Sequence, residues 1–517
     1  WLPADRPRGA LRGGLRRLAA GYSRDAGGGS GGWRAGGSGE RRAAGSGRVS
    51  RWFAADHETV GDRYLALSAV VLFVAGFAAL VVRAELFEPG LDFLAPAEFN
   101  RVVMAHGMFA VFGVVFPACA GLASRVVPAM IGAREMAFRR TNAVSFWLLV
   151  PGLLLLAAAV FGAPAEHAGG GAGVGRWPVV PADRSVTFAS GVLLVAGSWV
   201  LCGWSVAATV WWRSHTPLAR LPVFVRTMAL AALTWALLGA TLALWALTLV
   251  NASVAASPAT GAPTGFRYDF WFLGHPQSYL VILPVIGVVT EVLSQSAKRP
   301  PCGPDAIVQA GGSLAGLALL AWVGGMVLDK SLGGELFFLY AGLLATVPAA
   351  VILGIWVATV WRRPLAFDTS VCFAWAAALF LALGVVAGAV QPLAPVSAGS
   401  AMEAAQTHYL FVGFALFGLF AGVYRWLPVW TGGTCGETLA RVHFWLSFVG
   451  LNATFLPQYL AGVSGMLRRI PDYPLTLSDL NAAASAGGFL LGFAQLVFVF
   501  VVAKAVWGAK QDGGAGA

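Results

Sequence analysis

Charged residues are scarce in this sequence of 517 residues: Asp, Glu, Lys and Arg together make up 11%, and hydrophobic residues make up 58%. Soluble domains keep about a quarter of their residues charged to face water, so this composition excludes a soluble globular protein. Several apolar runs extend over about twenty residues or more, the length that a helix needs to cross a bilayer. The net charge of +11 therefore indicates orientation in a membrane rather than binding to nucleic acid.

Cysteine is also scarce, and its five occurrences are isolated, with no CxxC spacing. This pattern favours small buried apolar side chains over a disulfide framework or a cysteine-rich metal site. The five residues are Cys119, Cys202, Cys302, Cys372 and Cys435.

Residues 1–52 show almost no apolar periodicity and are rich in Gly, Arg and Ser. Such a composition predicts a disordered basic tail. Two other interpretations stay open: an organelle transit peptide, which is also rich in Arg and poor in acidic residues, and sequence from a misjudged gene start, since the chain begins at Trp1. We expect a membrane domain over 53–510 and a short flexible tail over 511–517.

Twelve apolar segments follow, with no evident internal repeat. They predict an all-α integral membrane protein built as a bundle of twelve transmembrane helices. The segments lie at about 63–87, 102–131, 142–162, 186–212, 225–252, 268–295, 306–329, 335–361, 369–391, 403–429, 441–462 and 481–507.

The connecting loops divide into a basic and an acidic set if successive helices alternate in direction. The basic set contains Arg134, Arg139, Arg140, Arg213, Arg220, Lys298, Arg299, Arg362 and Arg363, with Lys504 and Lys510 at the last helix end. The acidic set contains Glu85, Glu88, Asp92, Glu98, Glu166, Asp183, Glu335 and Glu403. Basic loops stay on the inner side of a membrane, so we expect both termini on that side.

Histidine occurs only seven times, at His57, His106, His167, His215, His275, His408 and His443. Four of them sit at predicted helix ends or in loops, which is typical of interfacial or solvated side chains. The other three, His106, His275 and His408, lie a turn or two into even-numbered helices and hence at similar depth. One intramembrane histidine is usually a hydrogen-bonded helix contact, but two or three at matched depth favour a shared cofactor. Two imidazoles on one iron would give a low-spin, electron-transferring haem.

Such a haem also needs counter-charges for its two propionates. Arg468 and Arg469 lie in the last loop on the same side as these histidines. Guanidinium groups suit carboxylates by charge and by bidentate geometry. The alternative interpretation is a pair of anchors at the membrane interface.

Long stretches of the chain resemble subunit I of the haem–copper oxidases, of the cytochrome c oxidase type, over about 55–510. The stretches that carry the resemblance are RAELFEPGLDFLAPAEFNRVVMAHGMFAVF (83–112), IGAREMAFRRTNAVSFWLL (131–149), WFLGHPQSY (271–279), AQTHYLFVGFALFGLFAGVYRWLP (405–428) and VHFWLSFVGLNATFLPQYLAGVSGMLRRIPDYP (442–474). The family has a core of twelve helices. By position, the resemblance implies that His106 and His408 are the axial ligands of a low-spin haem. It also implies that Arg83 lies beside an edge substituent of that haem and that Arg468 and Arg469 hold its propionates.

The oxygen-reducing half of the family pattern is altered. His275 and Tyr279 match a copper ligand and the tyrosine crosslinked to it, but the other two copper ligands fall on Gly324 and Gly325, and the ligand of the second haem falls on Gln406. Glycine offers no ligand atom, and one imidazole is a poor copper site. Further departures lie at Gln277 and Ile352, where the family has proton-path residues, and at Ala398 and Gly399, near its non-redox metal.

These residues predict a homologue in a respiratory membrane complex that keeps one bis-histidine haem, of a or b type, and lacks copper. It would serve as an electron-transfer or structural subunit beside subunits of the II and III type, with cytochrome c or a quinol as donor. Two alternatives stay open: a working terminal oxidase or nitric oxide reductase with an altered site, and a non-redox structural paralogue. The host membrane would be a bacterial or mitochondrial inner membrane.

Overall fold

The computed structural model describes residues 54–91, 93–162, 184–255, 277–327, 332–390 and 399–514. Within these residues the backbone forms twelve long helices, as predicted. Their bounds are α1 (His57–Glu85), α2 (Pro96–Met130), α3 (Arg139–Phe161), α4 (Ser185–Arg213), α5 (Val223–Ala255), α6 (Gln277–Ala297), α7 (Pro304–Val327), α8 (Leu332–Val360), α9 (Thr369–Val390), α10 (Ala401–Thr431), α11 (Glu437–Val463) and α12 (Ser478–Gly514). The predicted tail 1–52 lies outside the described residues, and α12 continues past the predicted end of the membrane domain at 510.

The helices have the surface of a membrane protein. Eleven of those described are long and apolar enough to cross a bilayer, and α6 contributes a shorter apolar segment, Ile282–Ala297. Large apolar side chains point outward from the bundle, for example Phe77, which is 69% exposed, and Leu154, which is 66% exposed. Water would make such exposure unfavourable, whereas lipid tails accept it at no cost. The chain is therefore a multi-pass membrane protein.

Consecutive helices pack as antiparallel pairs, most extensively in α1–α2, α4–α5 and α11–α12. The first turns of α10 pack against the end of α11, and α1 packs against both α2 and α12. At the α10–α11 contact, Gly462 lies directly against the backbone of Met402, and a methyl group at position 462 would collide with it. Small residues allow this close approach of helices in lipid.

The end of the bundle where α2 and α10 begin is closed by a separate apolar cluster. Its buried members are Leu86, Phe99, Ala401, Ala461, Met466, Tyr473 and Leu477. The buried carboxylate of Glu85 fixes the α1–α2 loop over this end, because it accepts the amide N–H groups of Phe93 (3.2 Å) and Leu94 (3.1 Å). The Tyr473 hydroxyl donates to the carbonyl of Leu86 over 3.1 Å. These contacts pack the α1–α2 loop, the start of α10 and the loop after α11 together at this end of the bundle.

Candidate functional site

His106 and His408 face each other between α2 and α10. They lie about three turns into α2 and about two turns into α10. Their ring centroids are 5.9 Å apart and their planes differ by only 6°. Phe455 of α11 stacks on His408 at 4.4 Å and limits the rotation of that imidazole. Two of the three histidines predicted to lie at matched depth are thus brought together with parallel rings, and the third, His275, lies outside the described residues.

Both imidazoles use their Nδ1 atom in the same way. His106 Nδ1 donates to the Ala75 carbonyl at 2.9 Å, and His408 Nδ1 donates to the Ala404 carbonyl at 2.7 Å. A carbonyl can only accept, so each Nδ1 carries the proton and each Nε2 carries a lone pair. Histidines that bind metals are held in this tautomer by such a bond on the second nitrogen. Both rings are thus prepared to act as ligands through Nε2.

Each histidine is followed by a short π-helical segment. Phe109–Val115 follows His106 in α2, and Tyr409–Leu416 follows His408 in α10. π-Helical turns are rare and occur often at functional sites, because the wider turn shifts the side chains that precede it relative to those that follow. The two segments place the same local distortion beside both members of the pair. The sequence analysis missed them, since no residue pattern marks a π turn.

Arg83 lies near both imidazoles, at the last turn of α1. Its carbonyl accepts the hydroxyl of Ser485 from α12 at 2.7 Å, which fixes the end of α1 against α12. Its Nη1 atom is buried without a hydrogen-bond partner among the described residues. A buried donor of this kind is costly unless an acceptor meets it. Arg83 is therefore suited to bind a polar group on a cofactor held by the two histidines.

The loop that carries Arg468 and Arg469 is fastened to the start of α10. Ser400 and Leu467 form an antiparallel bridge, in which the Arg468 amide donates to the Gly399 carbonyl over 2.9 Å. The side chain of Arg468 also forms an ion pair with Glu403, with Nη1 2.9 Å from Oε1. These contacts tie the arginine loop to the same helix that carries His408. Sequence alone gave no indication of the Arg468–Glu403 pair.

Arg469 has a backbone conformation that side chains other than glycine seldom adopt. Its φ is 63°, in the left-handed region. Such a conformation costs on the order of 1–3 kcal/mol, and Lys298 and Arg362 share it. Burial, together with the neighbouring charge of Arg468, lowers the pKa of Arg469 to about 10, although Glu403 opposes the shift. The group is still protonated at neutral pH, and an approaching carboxylate would stabilise it.

These groups meet the requirements of a haem. Two metal–nitrogen bonds of about 2 Å, the length known for imidazole on zinc, would separate the two Nε2 atoms by about 4 Å, and the ring spacing of 5.9 Å is compatible with that. Arg83 offers the buried Nη1, and Arg468 offers a buried Nε that also has no hydrogen-bond partner among the described residues. The donor set therefore fits an iron porphyrin with two carboxylates.

The residues that the sequence analysis assigned to the altered, oxygen-reducing half of the family pattern are only partly described. His275 and Ala398 lie outside the described residues. Only the backbone is described at Gln277 and Tyr279, in the first turn of α6, and at Gly324 and Gly325, in the last turn of α7. Their predicted roles stay predictions.

Three positions of the altered half can be placed. Gln406 extends from α10 toward α9, where its amide nitrogen lies 3.4 Å from the carbonyl oxygen of Gly384. Ile352 of α8 is fully buried in the apolar core. Gly399 belongs to the bridge that holds the arginine loop. None of the three side chains carries a group that could bind a metal well in this environment.

The prediction that His443 lies at an interface or in solvent is wrong. His443 is fully buried in α11, and its Nδ1 lies 2.9 Å from the Tyr424 hydroxyl. Rings from three helices surround it, namely Phe373, Phe420 and Phe498. It was misassigned because it lies close to the start of its apolar segment, and only the tertiary packing shows that this turn is covered.

Comparisons with known proteins identify the family. Residues 59–490 match the family model of cytochrome c and quinol oxidase polypeptide I. Cytochrome c oxidase subunit 1 of Synechocystis sp. is 31% identical over 87% of this chain and 84% of its own, and that of Thermostichus vulcanus is 33% identical over 86% and 83%. The fold resembles a haem–copper terminal oxidase dimer solved by cryo-EM, with a TM-score of 0.71 and 17% identity over 87% of this chain and 84% of that one.

Proposed function

Since the chain belongs to the family of cytochrome c and quinol oxidase polypeptide I, we propose that it is a subunit I homologue that holds one haem between His106 and His408. The facing imidazoles, each with its Nδ1 bonded to a backbone carbonyl, are the observation that carries the proposal. When bound, the haem supplies one-electron transfer. His106 and His408 would hold the iron, and Arg83, Arg468 and Arg469 would neutralise the polar groups of the porphyrin.

We further propose that the oxygen-reducing centre is absent. Gly324 and Gly325 have no side chain that could hold copper, and the Gln406 amide is already turned toward the α9 backbone. The protein then transfers electrons, or stabilises the complex, without reducing oxygen itself. Two alternatives remain, an altered but active oxidase and a non-redox structural paralogue. The names of the relatives favour the first, because both are called cytochrome c oxidase subunit 1, and His275 and Tyr279 are still present.

We propose that electrons enter from the side of the membrane on which α2 and α10 begin. His106 lies about three turns into α2 and His408 about two turns into α10, so a haem held between them would lie nearer the membrane face at which those helices begin. A cytochrome c or a quinol reaching that face would be within electron-transfer range. We propose that the chain works within a respiratory complex, with subunits of the II and III type beside it.

Cofactor content tests the proposal. We expect one haem and no stoichiometric copper per chain in the purified protein, measured by pyridine haemochrome and elemental analysis. The reason is that His106 and His408 are present, whereas the other ligand positions carry Gly324, Gly325 and Gln406. Two haems and one copper would show an intact oxidase and would overturn the proposal that the oxygen-reducing centre is absent. No haem at all would favour the structural paralogue.

The arginine loop should raise the midpoint potential of the haem. A positive charge favours the reduced iron by about 1 kcal/mol at about 15 Å with an effective dielectric constant of about 20. In one-electron terms this is about 50 mV for each charge. Replacing Arg468 and Arg469 together with Gln should leave the iron low-spin and lower the potential by about 50–100 mV, as measured by redox titration.

The matched control replaces the same two arginines with Lys, which keeps the charge but not the forked geometry. The potential of that variant should stay near the wild-type value. An unchanged potential in the variant with two glutamines would show that the side chains of Arg468 and Arg469 lie too far from the haem to affect it.

A further inference from the structure

Away from the haem site, three aromatic rings form an exposed cluster at the end of α4. Phe138 stacks on Trp204 at 6.2 Å and packs against Trp212 at 5.4 Å, and the two tryptophans contact each other at 5.8 Å. Trp204 is 51% exposed and Trp212 is 61% exposed. Ring clusters at the ends of membrane helices lie at the level of the lipid headgroups.

Arginines at two helix ends adjoin this cluster in sequence. The amide of Ala137 donates to the Thr209 hydroxyl over 3.1 Å, which holds the loop between α2 and α3 against α4. Arg139 and Arg140 follow Phe138 directly, and Arg213 follows Trp212, and all three side chains are exposed. Packing thus brings basic residues that are far apart in sequence onto one surface, here called the aromatic–arginine corner: Phe138, Arg139, Arg140, Trp204, Trp212 and Arg213.

Other arginines on the same face of the bundle form ion pairs with carboxylates. Arg125 pairs with Glu58 and Asp62, Arg226 with Asp305, Arg425 with Asp368, and Arg441 with Glu437.

By contrast, Arg139, Arg140 and Arg213 form no ion pair with a carboxylate in the described part of the chain. The one acidic residue of the two adjoining loops, Glu135, is engaged by His57, whose Nδ1 lies 3.1 Å from its carboxylate. The corner therefore carries a local positive charge that the chain itself does not balance.

We propose that the aromatic–arginine corner binds the headgroup of an anionic phospholipid. The arginine forks match a phosphate by charge and geometry, and the exposed rings offer an apolar surface to the glycerol backbone and the upper acyl chains. The position at the ends of membrane helices favours a lipid over a soluble anion, because only a lipid would contact the rings and the arginines at once. Binding would fix this end of α3 and α4 at a defined depth.

Spin-labelled lipids can test this site. The purified full-length protein, with any subunits that accompany it, is placed in phosphatidylcholine vesicles, and the association of labelled phosphatidylglycerol is compared with that of labelled phosphatidylcholine. The wild type should prefer phosphatidylglycerol. The variant R139Q/R140Q/R213Q should lose this preference by at least about fivefold, the effect expected of one basic residue near an anionic surface. Gel filtration verifies that each variant is folded.

The control is R362Q/R363Q, at the end of α8. These arginines are also exposed, but no ring cluster comparable to that of Phe138, Trp204 and Trp212 lies beside them among the described residues. We expect this variant to stay within about twofold of the wild type. An equal loss in both variants would mean general attraction of charge, and would overturn a defined site. Competition by inorganic phosphate, or loss of a protein subunit from the triple variant, would also contradict lipid binding.

Discussion

Replacing His106 or His408 with alanine is expected to abolish the low-spin haem spectrum of the purified protein. Each substitution removes one axial bond and leaves a cavity between α2 and α10, where the two rings now face each other at 5.9 Å. The haem should be lost, or should convert to a high-spin form that binds carbon monoxide, because one coordination position becomes free. The measurement is the optical spectrum of the reduced protein.

The variant His275→Ala is the matched control, because it removes a histidine of the same predicted depth to which no haem is assigned. Its spectrum should equal that of the wild type. If His275→Ala removed the spectrum while His106→Ala left it intact, the pairing of α2 with α10 would be wrong. Removing the Phe455 side chain, which stacks on His408, should change the optical spectrum less, since no bond to the iron is broken.

The twelve helices could be predicted because hydrophobicity alone determines what crosses a bilayer. The facing of His106 and His408 could be anticipated from their matched depth and from the family resemblance. The helices are marked by local hydropathy, and the pair is marked by a single residue type, histidine. The observed helices begin and end within a few residues of most predicted segments. The expected orientation with both termini inside stays a prediction.

Other parts of the site depend on contacts between distant segments. The left-handed backbone of Arg469, the Arg468–Glu403 pair and the burial of His443 all require that particular helices meet. Hydropathy does not predict such contacts between helices. The resemblance identified Arg468 and Arg469, but it did not show that a bridge between Ser400 and Leu467 fastens their loop to the helix of His408. These contacts hold the charges of Arg468 and Arg469 at a fixed place beside the start of α10, the helix that carries His408.

The pair of His106 and His408 lies toward the end of the bundle at which α2 and α10 begin. The apolar cluster that contains Phe99 and Tyr473 lies at the same end of the bundle, and the two imidazoles would hold the iron. A site built to reduce oxygen needs an iron with one position free. A haem held by both imidazoles would have no free position, so under the proposed function this site would transfer electrons.

Carbon monoxide should leave the spectrum of the reduced protein unchanged. A bis-imidazole iron has no free position for this ligand, and the nearest candidate for holding a second, five-coordinate haem is Gln406. Its amide nitrogen already lies 3.4 Å from the Gly384 carbonyl, and an amide is a weak ligand for iron compared with an imidazole. The measurement is the difference spectrum of the reduced protein with and without carbon monoxide.

The His106→Ala variant, if it keeps its haem, serves as the positive control, because its iron should bind the gas. A clear carbon monoxide shift in the wild type would mean that a second haem is present with another ligand, and the alternative of an active oxidase with an altered site would then replace the electron-transfer proposal.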